Sequence, residues 1–424
     1  MEGNATQVIK ALLKLVTIAA LIGLTANGAA CAEDTSPPLT ETALRDAVRA
    51  ADAPGLLLAF QHPANDASRV LAAIGLDRVT WQLDHSSATA RTCAKALAST
   101  QAPTAFFCAK FEAGNLRLKG RYSDASRLDA AAADAFPDVA KADIPFQAFM
   151  RDNALYVAMP SVVAEHPSDV TIPVHFDAAH AFSLDATVNG QLLAVGLDTG
   201  SATTLSRSTA KRLGVQVVIA DHGKAIGLLG KSSPQSLGVI DELKIGSAIV
   251  RHLPVEIVDE GRDVVGNDAL MQLGRFRLTK DTLTLPSSAD ALSSCREPML
   301  VSTAAFGGGT LLVKPLQVNG ATRLVLIDTG DSFVLTGTAS AAVDARGGRH
   351  RRVMTRDLTR ADQSVDTVEG HAAITLGGRD HSLNFPIYST SNLPYPYILG
   401  GGALSEVTLE VDFEKAHVCL THRS

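Results

Sequence analysis

An internal repeat in the C-terminal part of this 424-residue chain restricts its fold more than any other feature. The pattern Val-Asn-Gly, seven further residues and Asp-Thr-Gly occurs at residues 188–200 and again at 318–330. A second pair of similar segments, 265–270 and 399–404, lies at nearly the same separation. Self-similarity at a fixed spacing is the sequence signature of duplicated structural units. The repeat therefore predicts two homologous lobes.

Each copy of the repeat has the residue pattern of a β-rich unit. Short runs of Val, Ile, Leu and Thr are bounded by Gly, Asn, Asp and Pro, which is typical of strands. The Asn-Gly of each Val-Asn-Gly favours a tight hairpin turn. Ser206 is a candidate cap for a short helix over residues 204–214. We predict a mainly β fold with lobe 1 at residues 168–290 and lobe 2 at residues 295–424.

The paired Asp-Thr-Gly motifs are the candidate reactive groups. Asp198 and Asp328 each follow an apolar run, which places a carboxylate at a turn against a hydrophobic wall. A pseudo-twofold arrangement of the lobes would bring the two carboxylates face to face. Because two such carboxylates cannot both ionise easily, they share a proton and titrate as a unit. One member can then act as a general base on water while the other donates a proton to a carbonyl oxygen.

The second half of the chain resembles the aspartic proteases, both the retropepsin-like and the pepsin-like branches. The similar residues are Leu-Asp-Thr-Gly-Ser at 197–201 and Ile-Asp-Thr-Gly at 327–330. The family also has a strand of two hydrophobic residues and a glycine beside each catalytic loop, matched here at 264–266 and 398–400. The resemblance covers about 250 residues and does not extend to the N-terminal region.

This resemblance implies that Asp198 and Asp328 are the catalytic pair of a peptidase that acts on polypeptides without a metal or cofactor. Both aspartates lie in one chain, so a monomer is expected to be sufficient. The resemblance also implies that the two threonines cross-link the loops and that Ser201 donates a hydrogen bond to the Asp198 carboxylate. The residues expected to support the pair are Thr199, Gly200, Ser201, Thr329 and Gly330.

Two features depart from the family pattern. The second motif continues with Asp331, where the family usually has Ser, Thr or Ala. This third carboxylate is expected either to raise the pKa values of the pair or to point outward into solvent without effect. Gly227 and Gly230 lie in the segment where a mobile flap is expected, but residues 222–236 contain no tyrosine.

Residues 1–32 have the pattern of an export signal. Two lysines precede an apolar stretch of about 12 residues, which is too short to span a bilayer, and small residues follow. One interpretation is cleavage after Ala-Cys-Ala, before Glu33. The other is a weak lipoprotein motif in which Cys31 carries a lipid anchor. Both interpretations predict an exported protein, periplasmic or secreted.

Four cysteines remain beyond Cys31 in the predicted exported part. An even number of cysteines in an exported chain favours disulfides, and four cysteines allow three pairings. Local pairing, Cys93 with Cys108 and Cys295 with Cys419, is the simplest of the three. Four buried free thiols are the alternative.

Residues 33–165 differ in composition from the repeat. Ala-rich stretches at 42–51 and 125–135 predict helices, while 105–110 and 116–121 suggest two strands joined by Gly114-Asn115. We therefore predict a separate small α+β domain, which the sequence assigns no role.

Composition excludes several classes of protein. With 46% hydrophobic and 19% charged residues the chain has enough apolar material for folded cores. The net charge of −6 argues against nucleic-acid binding, and neither C-x-x-C nor H-E-x-x-H zinc patterns occur. The favoured function is an exported aspartic endopeptidase. The alternative is a catalytically inactive periplasmic binding or scaffold protein that retains the fold.

Overall fold

The computed structural model describes residues 38–166, 168–177, 181–227, 230, 232–259, 261–288, 290–292, 294–343, 349–355, 363–389 and 393–423. The predicted export signal and Cys31 lie outside these residues. No helix in the described part of the chain combines the length and the apolar character needed to cross a membrane.

The described residues before the first strand are helical. Their helices are α1 (Glu41–Arg49), α2 (Ala53–Gln61), α3 (Asp66–Val79), α4 (Leu83–Leu97), α5 (Ala102–Leu118), α6 (Tyr122–Ala135), α7 (Pro137–Ala142), α8 (Ile144–Met150) and α9 (Asn153–Ala158). Several of these helices have a polar side chain as their N-cap. Thr40, Asp52 and Asn65 each accept a hydrogen bond from a backbone N–H in the first turn of the helix that follows.

The two strands predicted within residues 105–121 are wrong, because residues 105–118 belong to α5 and residues 119–121 form the turn that follows it. Most of this helix is buried, so it shows no amphipathic period that would distinguish it from a buried strand. The Gly-Asn pair is not a turn. A Cβ at Gly114 would lie 2.7 Å from the carbonyl oxygen of Ala305, so glycine permits close helix packing there. The Asn115 amide donates to Ser86 Oγ at 3.0 Å.

Lobe 1 is built on one sheet, as the repeat predicts. Its strands pair in the order β1-β9-β6-β10-β5-β4-β8-β7, with β3 beside β4. They are β1 (Val163–Glu165), β3 (His175–Asp177), β4 (Ala181–Val188), β5 (Gln191–Asp198), β6 (Thr204–Ser206), β7 (Gln216–Ile226), β8 (Ser232–Ile245), β9 (Ala248–Val258) and β10 (Val264–Gly266). The short helices α10 (Arg207–Arg212) and α11 (Asn267–Gln272) follow β6 and β10, and Ser206 caps α10 as predicted.

Lobe 2 repeats this plan around its own sheet. The strand order is β13-β14-β15-β20-β16-β19-β18-β17. The strands are β13 (Leu300–Ser302), β14 (Leu311–Val318), β15 (Ala321–Asp328), β16 (Leu335–Gly337), β17 (His350–Thr355), β18 (Gln363–Leu376), β19 (Arg379–Ile387) and β20 (Tyr397–Gly400). Each Val-Asn-Gly forms the predicted hairpin turn. Asn189, Gly190, Asn319 and Gly320 have positive φ angles of 48°, 79°, 51° and 76°.

A third sheet joins the two lobes. It contains β2 (Val170–Pro173), β11 (Arg275–Leu278) and β12 (Thr282–Leu285) from the first copy, and β21 (Val407–Asp412) and β22 (His417–His422) from the second. Strands β11 and β21 pair directly and antiparallel, with Phe276 opposite Val411. The mainly β, two-lobed fold class predicted from the repeat is thus confirmed, and a helical region precedes the lobes.

Two disulfides have the predicted local pairing. Cys93–Cys108 joins α4 to α5 inside the helical region. Cys295–Cys419 joins the segment that enters lobe 2 to the final strand β22.

The helical region shares hydrophobic cores with the lobes. Leu44, Leu56 and Phe111 pack in one cluster with Leu326 and Ile398 of lobe 2. The single tryptophan, Trp81, makes an edge-on contact with Phe413, their ring centroids 5.5 Å apart. On the other side, α9 packs against β7 and β8 of lobe 1. The helices are therefore part of the same packed structure.

Arg78 is the central polar contact between the helices and lobe 2. Its side chain is completely buried, and its guanidinium lies 4.0 Å from the centre of the Phe111 ring. It donates to the carbonyl oxygen of Phe111 at 2.8 Å and to that of Ala304 at 3.3 Å, and it also binds Asn115 Oδ1. Burial lowers the Arg78 pKa to about 9.

Replacing Arg78 by methionine should destabilise the fold. Methionine fills much of the space but leaves the buried oxygen acceptors without donors, each at a cost of about 1–3 kcal/mol. We expect the free energy of unfolding, measured by urea denaturation, to fall by about 3 kcal/mol or more. The matched control is Arg121→Met, which removes an exposed ion pair with Asp124 worth less than about 1 kcal/mol. Equal losses in the two variants would contradict the bridging role of Arg78.

Candidate active site

Asp198 is positioned by two strands of lobe 1. The strand β5 ends at Asp198, and the neighbouring strand β10 runs parallel to it, with Gly266 opposite Asp198. A Cβ at Gly266 would lie 2.5 Å from the Ser201 carbonyl oxygen, so only glycine lets the loop after Asp198 pass this closely. The Asp198 residue is 8% exposed.

Asp328 has the same setting in lobe 2. The strand β15 ends at Asp328, and β20 runs parallel to it, with Gly400 opposite Asp328. Strand β16 then pairs antiparallel with β20, as β6 does with β10 in lobe 1. The duplication in the sequence thus extends to the strand register around both aspartates.

Reciprocal threonine hydrogen bonds hold the two loops together. The backbone N–H of Thr199 donates to Thr329 Oγ1, and the N–H of Thr329 donates to Thr199 Oγ1, both at 3.1 Å. Each hydroxyl in turn donates across the lobe boundary, Thr199 to the carbonyl of Ile327 at 3.0 Å and Thr329 to that of Leu197 at 2.9 Å. These are the cross-links that the family resemblance implies.

The glycines of the two motifs let each carboxylate lie against the opposite loop. A Cβ at Gly200 would lie 2.5 Å from Asp328 Oδ2, and one at Gly330 would lie 2.5 Å from Asp198 Cγ. Each glycine also donates its backbone N–H to the aspartate of its own loop, at 2.9 Å in both lobes. Any side chain at either position would push the two carboxylates apart.

The electrostatics of the pair favour a shared proton. Burial raises the pKa of Asp328 well above its ordinary value, and the negative charges of Asp198 and Asp331 raise this pKa further. A hydrogen bond with Asp198 acts in the same direction, while the Gly330 N–H opposes it. A proton is therefore retained on this pair of carboxyl groups at pH values where an ordinary aspartate is ionised.

Asp331 turns back into its own loop. Its Oδ1 accepts the backbone N–H of Phe333 at 3.0 Å, and a Cβ at Gly400 would lie 3.1 Å from its Cγ. Burial raises the pKa of Asp331 to about 6, against the lowering effect of the Thr336 hydroxyl and the Phe333 N–H. The outward, solvated orientation considered from the sequence is not the one in the structure.

Ser201 differs from the expectation. It is 8% exposed, and its Oγ has no hydrogen-bond partner in the described part of the chain, so the implied bond to the Asp198 carboxylate is absent. The backbone carbonyl of Ser201 accepts the N–H of Asn267 at 2.9 Å, which fixes the loop against α11. The hydroxyl instead lines a cavity beside the loop.

Gly227 and Gly230 lie at the end of the β7–β8 hairpin. The N–H of Gly230 donates to the Gly227 carbonyl at 2.9 Å, while residues 228, 229 and 231 are outside the described part. Sequence reasoning found no tyrosine in this segment. A tyrosine of the helical region lies against this hairpin instead: the Tyr156 hydroxyl is 3.2 Å from Nδ1 of His222 on β7.

Sequence reasoning missed the polar residues that the helical region and lobe 1 bring together around the cavity lined by Ser201. Among them are Lys110, Arg117, Glu256 and Asp268. No spacing or motif connects these positions, since they come from helices and strands far apart in the chain.

Comparison with known proteins agrees with this geometry in lobe 1. Residues 184–274, which include the first Asp-Thr-Gly loop and its paired strand β10, match the family model described as aspartyl protease. No curated protein matches the sequence.

Several solved structures are similar to this chain. An aspartic proteinase from Irpex lacteus is 13% identical, with a TM-score of 0.39, over 61% of this chain and 98% of that one. Basic 7S globulin from soybean is 11% identical, with a TM-score of 0.35, over 61% and 95%. A retropepsin-like aspartic protease from Rickettsia conorii is 20% identical, with a TM-score of 0.23, over 30% and 94%. The match to the aspartyl protease family thus covers the first Asp-Thr-Gly loop, and the second loop, at residues 328–330, repeats its strand register in lobe 2.

Proposed function

We propose that this protein is an exported aspartic endopeptidase that hydrolyses polypeptides with water activated between Asp198 and Asp328. The observation that carries the proposal is the pair of carboxyl groups facing each other across the lobe boundary, each lying against the glycine of the opposite loop. An acid and a base side by side are what amide hydrolysis requires.

In the proposed reaction the Asp198 carboxylate accepts a proton from water as the water oxygen attacks the peptide carbonyl carbon. Asp328 donates its proton to the carbonyl oxygen. The resulting tetrahedral gem-diol collapses when Asp198 passes the proton it took from water to the leaving nitrogen. One hydroxyl of the gem-diol returns a proton to Asp328 as the C–N bond breaks, which restores both carboxyl groups to their starting states. No covalent bond to the protein forms, and Thr199 and Thr329 keep the two carboxyl groups in register through their hydrogen bonds.

Two further parts of the proposal concern the state of the protein. The pair of disulfides supports export, because such bonds persist mainly in oxidising compartments. Both aspartates come from one chain, which supports activity as a monomer. Whether Cys31 carries a lipid is decided by mass spectrometry of the mature N-terminus.

The first prediction concerns the pair itself. Asp198→Asn and Asp328→Asn should each reduce turnover by at least about 10²–10⁴-fold, because each removes one acid–base partner. The measurement is cleavage of an unfolded protein substrate over a pH series. Asp185→Asn, on the exposed side of β4, is the control and should remain active. Near wild-type turnover in either variant would contradict the proposed mechanism. Absence of cleavage by the wild-type protein would favour the alternative, a catalytically inactive binding or scaffold protein.

The second prediction concerns Asp331. Its charge raises the pKa of Asp328, so Asp331→Asn should lower that pKa and move the basic limb of the pH–rate profile to lower pH. Asparagine keeps an oxygen acceptor for the Phe333 N–H. Because the Asp331 pKa is about 6, the wild-type and variant profiles should coincide below about pH 6 and diverge above it. Superimposable profiles over the whole range would show that Asp331 does not influence the pair.

A further inference from the structure

A cavity of about 380 Å³ lies between the helical region and lobe 1. Its volume is in the range of pockets that bind small molecules or single side chains. Lys110 and Arg117 of α5 line one side, and Glu256 of β9 and Asp268 of α11 line the other. Ser201 also lines it, so the cavity reaches the loop that carries Asp198.

Two of the cations on the helical side, Lys110 and Arg117, are already paired with acids. Lys110 Nζ lies 2.6 Å from Asp143 Oδ2, and Arg117 forms an ion pair with the buried Asp129. Arg45, also on this side, lies over the Phe306 ring, 4.7 Å from its centre. A negatively charged occupant would therefore compete with acids that these cations already bind.

The carboxylates on the lobe 1 side form no ion pair with a cation among the described residues. The Glu256 side chain makes no hydrogen bond or ion pair in the described part of the chain, and burial, with the charge of Asp268, raises its pKa to about 7. Asp268 Oδ1 accepts the Thr203 N–H, the Thr203 hydroxyl and the Ala269 N–H. These bonds fix Asp268 in place without supplying a positive charge.

Two more observations indicate that the cavity receives a ligand. Ser201 lines the cavity at the catalytic loop, and its buried Oγ has no hydrogen-bond partner among the residues that the structure describes. Five aromatic side chains surround the space, although only 5% of the chain is aromatic. The five are Tyr122, Phe146, Phe149, Tyr156 and Phe306. Lys110 and Arg117 already lie over the Phe146 and Phe149 rings. The tyrosine rings and the Glu256 carboxylate are therefore the groups placed to bind a further guanidinium or ammonium group.

We propose that this cavity is a specificity subsite that binds an arginine or lysine side chain of the polypeptide substrate, with Glu256 as its ionic partner. The inference rests on the proposed peptidase function and names a substrate class for it. The position of the cavity beside Ser201 favours a side chain of a bound substrate. The helical region thereby supplies one wall of a substrate site that the two lobes alone do not form.

The test is a set of fluorogenic peptides in which one arginine is moved through every position around the cleaved bond. Each peptide is paired with one that carries citrulline, which has the same shape without the charge. For one position we expect kcat/KM of the wild-type protein to be about 10- to 100-fold higher with arginine than with citrulline, the range for hydrogen bonds to charged groups. This comparison needs no variant.

Glu256→Gln then identifies the residue responsible. The preference for arginine should fall to less than about threefold, mainly through a loss of kcat/KM for the arginine peptide. The matched control, Glu165→Gln, removes an exposed carboxylate of the same sheet, 3.3 Å from Arg251, and should keep the full preference. A wild-type enzyme without an arginine preference at any position, or a preference that survives in Glu256→Gln, overturns the inference.

Failure of the proposed function is distinguishable from failure of this inference. The dissociation constants of the same peptide pairs are measured by fluorescence anisotropy with Asp198→Asn. If the wild-type protein cleaves no peptide, the peptidase proposal fails, and the ratio of the two dissociation constants decides the inference alone. Tighter binding of the arginine peptide, lost when Glu256→Gln is added, supports the subsite, and equal binding refutes it.

Discussion

The reciprocal hydrogen bonds between Thr199 and Thr329 are the interaction on which the rest of the site depends. Both residues are almost completely buried, 0% and 2% exposed, so water does not compete for their donors and acceptors. Each hydroxyl accepts one backbone N–H and donates to one carbonyl across the lobe boundary. The distance between the two catalytic loops is therefore set by buried backbone groups that would be costly to leave unpaired.

That rigid arrangement has an electrostatic consequence. It holds Asp198 and Asp328 so close that glycine is needed at residues 200 and 330. It also places Asp331 close enough for its negative charge to raise the pKa of Asp328. Burial is the main reason that the pKa values of Asp328 and Asp331 are both raised, and the nearby carboxylate charges act in the same direction. The raised pKa of Asp328 keeps a proton on the pair, where the proposed reaction needs one.

The helical region changes what the two lobes can present to a substrate. Arg78 and a shared hydrophobic cluster attach it to lobe 2, and Tyr156 and its neighbours attach it to the β7–β8 hairpin of lobe 1. Because the helices contact both lobes, they also enclose the cavity that contains Glu256. Recognition of the substrate and stability of the fold are therefore expected to depend on the same helical region.

The sequence by itself determined the duplicated β lobes, the positions of Asp198 and Asp328, the Asn-Gly turns and the Ser206 cap, because these follow from local periodicity, turn chemistry and an exact repeat. Tertiary packing decided the rest. Residues 102–118 form a buried helix, which shows no amphipathic period, and Gly114 serves a close contact with Ala305 rather than a turn. Local sequence patterns carry no information about contacts between distant segments. Such contacts decide the inward position of Asp331 and the residues that surround Glu256. They also leave the Ser201 hydroxyl without a partner among the described residues.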